Sequence, residues 1–353
     1  MIAIPDVRAT NPMLNATPAS VSMAKPHILV EDLTKTFRVA ERRAGTLGAL
    51  AGVFRRRSRT VDALKGITFA LREGELLGLI GPNGAGKSTT IKILCGILEP
   101  SAGRCEVAGL VPWRERIRHV ARIGAVFGQR TQLWWDLPVI ESFELLRDIY
   151  RIPPPRYRET SDALIALLDL ERILSTPARQ LSLGQRMRCE IAASMLHEPR
   201  VLFLDEPTIG LDAVAKLAVR EFVKTLNRER SVTVILTTHD MHDIEALTER
   251  VIVIGDGRIL SDGTLTALRR GALAERRLRV HFAGDVDAIE LPGARLHRRQ
   301  GRLAELSFDP RAISAHRLIA DVTSRYEVED VHLEEPPIEE VIARFYAMHS
   351  IHS

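Results

Sequence analysis

The chain of 353 residues has few cysteines, few aromatic residues, little net charge and no long apolar run. Its three cysteines, Cys95, Cys105 and Cys189, leave one without a partner and show no CxxC spacing, which argues against a disulfide framework or a zinc site. The net charge of +4 is too small for general attraction to nucleic acid or anionic membrane to explain the function. No apolar run approaches the roughly 20 residues of a membrane-spanning helix. The composition therefore predicts a globular protein in a reducing, cytoplasmic compartment, with no nucleic acid among its partners.

The length and the apolar content of 45% predict about two domains. Residues 1–26 lack periodic apolar spacing, and we expect a flexible leader there. In residues 27–270, short apolar runs alternate with segments of helical spacing, which is typical of an α/β domain with a mainly parallel sheet. A helical insertion is expected at about 130–186. The composition changes near Gly271, and residues 271–353 are expected to form a small α+β domain.

A glycine-rich loop follows an apolar strand that ends at Ile80. Residues 81–88 read Gly-Pro-Asn-Gly-Ala-Gly-Lys-Ser, which matches the phosphate-binding pattern G-x-x-x-x-G-K-S between a strand and a helix. Glycines let backbone N–H groups surround phosphate oxygens, and the following helix adds the positive end of its dipole. Lys87 supplies a cation and Ser88 a hydroxyl ligand for magnesium. The residues expected to bind a nucleoside triphosphate here are Gly81, Pro82, Asn83, Gly84, Ala85, Gly86, Lys87, Ser88 and Thr89.

Two adjacent carboxylates, Asp205 and Glu206, end a later apolar strand. Alternation along a strand sends the two side chains in different directions, so they can do different work. Asp205 is expected to hold magnesium, directly or through water, while Glu206 deprotonates the water that attacks the γ-phosphorus. A solvated strand end is the ordinary alternative. The phosphate loop upstream favours the catalytic interpretation, because magnesium needs hard oxygen ligands.

The segment Leu181-Ser182-Leu183-Gly184-Gln185 resembles LSGGQ, the signature of the nucleotide-binding subunits of ABC transporters. Leucine replaces glycine at its third position, whereas Ser182, Gly184 and Gln185 match. Ser182 is a candidate N-cap for the helix that starts here, whose free N–H groups would face an anion. A simple helix cap is the alternative explanation of the serine.

This resemblance implies further functional positions. Gln129 resembles the Q-loop glutamine, a catalytic position and a magnesium ligand; Asp212 resembles the D-loop aspartate at the nucleotide, and His239 the catalytic switch histidine. Each is weak alone, but they occur in the family's order along the chain. Phe37 resembles the aromatic residue that stacks on adenine, with core packing as an equal alternative. The implied fold is an α/β P-loop NTPase cassette with a RecA-like parallel sheet, an antiparallel β subdomain and a helical subdomain.

The resemblance also implies an activity and partners. We expect an ATPase with ATP and Mg²⁺ as cofactors. In this family the phosphate loop of one subunit and the signature of another enclose one ATP, so a second ATP-binding subunit, identical or related, is expected. Separate membrane permease subunits would hold the chain at the cytoplasmic face of the cell membrane. The tail resembles the domain appended to ATPases for drug, sodium and polysaccharide export, so export is the expected direction.

The alternative is a non-transport ATPase of the same family that acts in translation or DNA maintenance. One compact cassette without long heptad repeats favours transport. Trp134 and Trp135, close to Gln129, are candidates for permease docking, although we expect at least one of them to pack inside the helical insertion. Residues 41–60 carry six arginines against one acid among apolar residues. They are a candidate for contact with inner-leaflet lipid, with a solvated loop as the alternative.

Overall fold

The computed structural model describes residues 25–40, 58–128, 130–272, 275–286, 288–335 and 337–348. The predicted flexible leader lies outside these ranges except for residues 25–26. The basic segment 41–60 also lies outside them except for residues 58–60, which begin the second strand. Gln129 is likewise outside the described residues.

The elements succeed one another in the alternating order that the sequence predicts. The strands are β1 (Ile28–Ala40), β2 (Ser58–Leu71), β3 (Leu76–Ile80), β4 (Ala102–Val107), β5 (Ile123–Phe127), β6 (Val201–Asp205), β7 (Thr233–Thr237), β8 (Arg250–Gly255), β9 (Arg258–Thr264), β10 (Arg276–Phe282), β11 (Ala294–Gln300), β12 (Leu303–Phe308) and β13 (Val328–Glu334). The helices are α1 (Lys87–Leu94), α2 (Arg116–Val120), α3 (Val139–Tyr150), α4 (Pro154–Leu167), α5 (Leu183–Met195), α6 (Ala213–Arg230), α7 (Met241–Leu247), α8 (Leu265–Ala272), α9 (Ala315–Arg325) and α10 (Ile338–Met348).

A six-stranded sheet in the order β5-β6-β7-β3-β8-β9 forms the centre of the molecule. Its first five strands are parallel, and β9 returns antiparallel to β8. The predicted α/β fold with a mainly parallel sheet is confirmed. Parallel strands end at the same edge of a sheet, so the loops after Ile80, Phe127, Asp205 and Thr237 meet there. This edge carries the predicted phosphate loop and the two carboxylates.

Both faces of this sheet are covered, which explains why its strands are nearly continuous apolar runs. On β6, Phe203 packs into the cluster shared with β1, β2, β4 and α1. Its neighbours Leu202 and Leu204 point to the other face, into a cluster with α5, α6 and the helices of the insertion. The antiparallel sheet β2-β1-β4 therefore lies on one side of the central sheet and the helices on the other.

The segment between β5 and β6 is helical, as the sequence predicts. It contains α3, α4 and two short 3-10 turns before α5 begins at Leu183. Proline at the start of α4 suits the first turn of a helix, where its missing N–H costs no hydrogen bond. The apolar faces of α3 and α4 pack against α5, so the helical segment is in direct contact with the helix that begins at the signature.

The C-terminal part contains a second antiparallel sheet, β11-β12-β10-β13, with α9 packed on one face. In β10, Leu278, Val280 and Phe282 are buried against α9, while the alternate positions carry Arg277 and Arg279. The last helix, α10, packs on α8 and joins the core cluster of the first domain. The division at 270/271 stays a prediction, and α10 belongs by packing to the part before it. None of the helices among the described residues is long and apolar enough to span a bilayer.

Candidate nucleotide-binding site

The loop between β3 and α1 is closely packed at two glycines. A Cβ at Gly81 would overlap the carbonyl oxygen of Ile254 on β8. Gly86, with φ of +113°, is the N-cap of α1, and a Cβ there would lie 2.8 Å from the carbonyl oxygen of Ala63 on β2. Glycine is therefore required at both positions. Because Gly86 has no side chain to cap the helix, the first N–H groups of α1 are left for an anion.

The Lys87 side chain folds back over the loop that precedes it. Its Nζ donates to the carbonyl oxygens of Gly81 at 2.6 Å and Pro82 at 3.1 Å, and the residue is buried. Burial lowers the pKa of the Lys87 ammonium, an effect that the negative charges of Glu206 and Asp205 partly oppose. The cation is thus held inside the loop, close to the two carboxylates at the end of β6.

Asp205 receives two hydroxyl groups. Ser88 at the start of α1 donates to its Oδ1 at 3.3 Å, and Thr237 donates to the same oxygen. Thr237 was not identified from the sequence. The feature that identifies Thr237 is the register of the sheet, because Thr237 pairs directly with Asp205 at the ends of the neighbouring strands β7 and β6. Ser88 and Asp205 together present hard oxygen donors of the kind that magnesium prefers.

Glu206 directly follows the last residue of β6, so strand alternation does not set its direction, and its side chain lines the same cavity as Asp205. It has a left-handed backbone conformation, with φ of 56°, and its N–H donates to the carbonyl oxygen of Thr237 at 2.9 Å. The Nδ1 atom of His239 lies 3.5 Å from Oε1 of Glu206. The expected switch histidine and the expected base are therefore neighbours, and His239 is the more exposed of the two.

A cavity of about 650 Å³ opens where these loops meet. Its described lining is Asn83, Ser88, Lys92, Ile97, Phe127, Gly128, Arg130, Asp205, Glu206, Ile209 and His239. Lys92 and Arg130 are cations that the sequence motifs do not single out. Gln129, which lies outside the described residues, sits in the sequence between two residues of this lining. The structure thus brings together the phosphate loop, both carboxylates and His239.

The signature residues, 181–185, are not among the described residues that line this cavity. Ser182 caps α5 in a reciprocal arrangement: its hydroxyl accepts from the N–H of Gln185 at 3.2 Å, and its own N–H donates to the Gln185 side chain at 2.9 Å. A Cβ at Gly184 would lie 2.9 Å from that of Ala215, whose N–H donates to the Asp212 side chain at 2.8 Å. The signature and Asp212 therefore adjoin each other at the starts of α5 and α6. Neither is part of the described lining of the cavity.

Phe37 lies half-buried on β1, opposite Val61 of β2. The ammonium of Lys35 is 5.2 Å from the centre of its ring. Ala63, two residues beyond Val61, borders Gly86 of the phosphate loop. Phe37 is thus on the sheet next to the loop, although it is not among the residues that line the cavity.

Trp134 and Trp135 are 38% and 49% exposed. The expectation that at least one of them packs inside the helical insertion was wrong, because the adjacent Leu133 occupies that core instead. The guanidinium of Arg186 lies 5.6 Å from the Trp135 ring centre. Both indole rings therefore form part of the surface next to the signature helix.

Comparison with protein families and with relatives agrees with this arrangement. The family model described as ABC transporter matches residues 64–209. A daunorubicin resistance ATP-binding protein of Streptomyces coeruleorubidus is 33% identical over 284 residues, which cover 79% of this chain and 89% of that protein. The methionine import ATP-binding protein of Geobacillus kaustophilus is 34% identical over 62% of this chain and 65% of its own length. ABC transporter A family member 8 of Dictyostelium discoideum is 32% identical over 72% of this chain, which spans only 29% of that protein.

Solved structures resemble the chain as well. The ATP-binding subunit of an ABC transporter superposes with a TM-score of 0.57 at 27% identity, over 69% of this chain and 92% of that one. A dimeric ATP-binding cassette in a post-hydrolysis state, bound to ADP and Pi, gives a TM-score of 0.56 at 26% identity, over 67% and 98%. The chain belongs to the ABC transporter family, as one of its ATP-binding, ATP-hydrolysing subunits.

Proposed function

We propose that this chain binds Mg-ATP, closes head to tail on a second ATP-binding subunit, and hydrolyses ATP to drive separate membrane permease subunits in the direction of export. The observation that carries the proposal is the division of the functional residues over two surfaces. The phosphate loop, Asp205, Glu206 and His239 surround one cavity, whereas Ser182 and the rest of the signature lie outside its described lining. One chain thus supplies two half-sites of different composition.

The phosphate loop and Lys87 would hold the triphosphate. Lys87 already directs its donors to carbonyl oxygens of the loop, and phosphate oxygens can take the same donors without a large movement of the side chain. Ser88 and Asp205 fit magnesium, because that ion is usually held by one or two protein oxygens together with phosphate oxygens. When bound, magnesium would neutralise negative charge on the phosphates. Phe37 would stack on the adenine ring, and Gln129 would be a ligand of the magnesium ion.

Glu206 would act as the general base. It accepts a proton from water while the water oxygen bonds to the γ-phosphorus, and the bond from that phosphorus to the bridging oxygen of ADP breaks. ADP and inorganic phosphate leave, and the proton remains on Glu206 until solvent removes it. His239, 3.5 Å from Oε1 of Glu206, is close enough to orient the base and the transferred phosphoryl group together.

The second half-site would come from another subunit. The start of α5 has the N–H groups and dipole that attract a phosphate, and Asp212 lies beside it. Capping by Ser182 keeps this helix end intact while its remaining N–H groups face outward. The related cassette with ADP and Pi is dimeric, which supports a pair of subunits here. The partner subunit is either a copy of this chain or a relative.

Export is supported by the names of relatives. Besides the daunorubicin protein, a linearmycin resistance protein of Bacillus subtilis and a Nod factor export protein of Ralstonia nicotianae are each 34% identical to parts of this chain. These names favour transport over a role in translation or DNA maintenance. Trp134 and Trp135 provide exposed aromatic surface for a permease, which would hold the chain at the cytoplasmic face of the membrane. Lipid contact through residues 41–60 rests on their basic sequence alone.

The variant Glu206→Gln tests the assignment of the base in the purified full chain. We expect kcat for ATP hydrolysis to fall by about 10²-fold or more, because general base catalysis contributes that much. ATP affinity should stay within about threefold, since the base acts mainly in the transition state. Glu159→Gln, a change at an exposed glutamate of α4, is the matched control and should leave both quantities unaltered. Hydrolysis at the wild-type rate by Glu206→Gln would refute the assignment.

A further inference from the structure

A fully buried carboxylate, Asp243 on α7, lies beside the catalytic residues without lining the cavity. The hydroxyls of Thr208 and Thr238 both donate to its Oδ2, the second of them at 3.3 Å. Thr208 is two residues after Glu206, and Thr238 directly precedes His239. One carboxylate therefore holds the two chain segments that carry the expected base and the switch histidine.

The charge of Asp243 is matched by a cation from α6. Nε of Arg220 donates to Oδ1 of Asp243 at 2.6 Å, and its Nη2 reaches the same oxygen. Lys216, four residues earlier on the same face of α6, pairs with Asp240, whose side chain accepts from the N–H of His242 at the start of α7. Two ion pairs thus fasten α6 to the segment just after the switch histidine.

The position of α6 gives these contacts a consequence for function. The helix begins directly after Asp212, in the part of the chain that adjoins the signature. Its first turn is on the surface proposed to meet the second subunit, while Lys216 and Arg220, one and two turns further on, reach the switch segment. A shift of α6 would therefore move Thr208 and Thr238 through Asp243.

We propose that the Arg220–Asp243 pair is a positioning device, which sets the placement of Glu206 relative to His239 and ties both to the start of α6. The inference rests on the proposed function, because it takes Glu206 as the base. Stability alone does not require such a pair, since apolar or neutral residues of similar volume often replace a buried ion pair without loss of stability. Catalysis does require fixed geometry, because a misplacement of about 1 Å can cost about 10²-fold in rate.

The test compares three variants of the full chain with Mg-ATP. Asp243→Asn combined with Arg220→Met removes both charges and leaves no buried ion without a partner. We expect the thermal unfolding temperature to stay close to wild type and ATP affinity to change by less than about threefold, while kcat falls by about 10- to 100-fold. Arg220→Lys keeps a cation and should recover part of kcat. Glu221→Gln, which breaks an exposed ion pair with Lys224 on the same helix, is the matched control and should change nothing.

The outcomes distinguish failure of the positioning role from failure of Glu206 as the general base. Wild-type kcat in the folded double variant would overturn the inference alone, because the pair would then be only structural. Equal losses of ATP affinity and kcat would also overturn it, since positioning acts on the catalytic step. If the double variant does not fold, Arg220→Lys decides in the same way: reduced kcat with retained ATP binding supports the inference, and unchanged kcat overturns it. Full hydrolysis by Glu206→Gln would instead overturn the base assignment, and with it this inference.

Discussion

A substitution at Gly128, directly after β5, tests whether catalysis depends on the position of the Glu206 backbone. The φ of Gly128 is not in the left-handed region, so alanine is compatible with the backbone there. A Cβ at this position would nevertheless lie inside 3.0 Å of the carbonyl oxygen of Glu206, with the Ile209 side chain 3.1 Å away on another side. The obstacle is backbone, so Glu206 must move by several tenths of an ångström. We expect kcat of Gly128→Ala to fall by about 10- to 100-fold, because small misplacements of reacting groups are that costly.

The assay for Gly128→Ala is steady-state phosphate release, together with equilibrium binding of ATP and thermal unfolding. Overpacking of this kind costs about 1–3 kcal/mol of folding free energy, so the unfolding temperature should drop modestly while the chain remains folded. Gly263→Ala on β9 is the matched control, since its Cβ would meet that of Ala267 at an ordinary 3.9 Å. A folded Gly128→Ala protein with wild-type kcat would refute the claim that the backbone at Glu206 must stay in place.

Three other changes have defined outcomes. Lys87→Ala should raise the Kd for ATP, measured by calorimetry, by about 10- to 100-fold, because hydrogen bonds to a charged group contribute about 1.5–3 kcal/mol each; unchanged affinity would contradict its role. Trp135→Ala should reduce the fraction of chain recovered with cell membranes more than it reduces ATP binding, whereas Ile117→Ala, 90% exposed on α2, should reduce neither; equal loss of both quantities would contradict a docking role for Trp135. Burial lowers the pKa of His197 from 6.5 to about 4 despite its bond with a β5 carbonyl, so an unfolded chain binds a proton there that the folded chain does not. Stability should therefore fall by up to about 3 kcal/mol as pH drops from 6.5 to 4, and His197→Gln, but not His242→Gln, should remove that loss in denaturant titrations.

The sequence predicts those parts of the site that depend on local spacing. The phosphate loop needs glycine at fixed positions between a strand and a helix, and the observed loop has steric reasons for Gly81 and Gly86. The ends of β6 and β7 are also predicted, because both strands are short apolar runs buried on two faces. These features obey local rules, so they are predictable without knowing which strands are neighbours.

The rest depends on contacts between distant residues. Thr237 and Asp243 act on Asp205 and on the switch segment only because β6 lies between β5 and β7 in the sheet, and spacing along one chain does not reveal that order. Strands β10 and β11 are not predicted from the sequence, because arginines alternate with Leu278, Val280 and Phe282 in the partly buried positions of β10 and occupy several exposed positions of β11. The packing of α10 on α8 is likewise a long-range contact without a local signature.

The central claim is that two copies of the cassette share each nucleotide, and cross-linking tests it directly. The chain carrying Asn83→Cys and Ser182→Cys in the Glu206→Gln background places one thiol on the phosphate loop and one on the signature, while the native cysteines are buried and do not compete. With Mg-ATP and a mild oxidant, we expect a disulfide-linked dimer on a non-reducing gel, absent without nucleotide and absent from either single-cysteine chain. Absence of the dimer while ATP is bound would contradict a pair of identical copies, and cross-links that form equally without ATP would contradict the shared nucleotide.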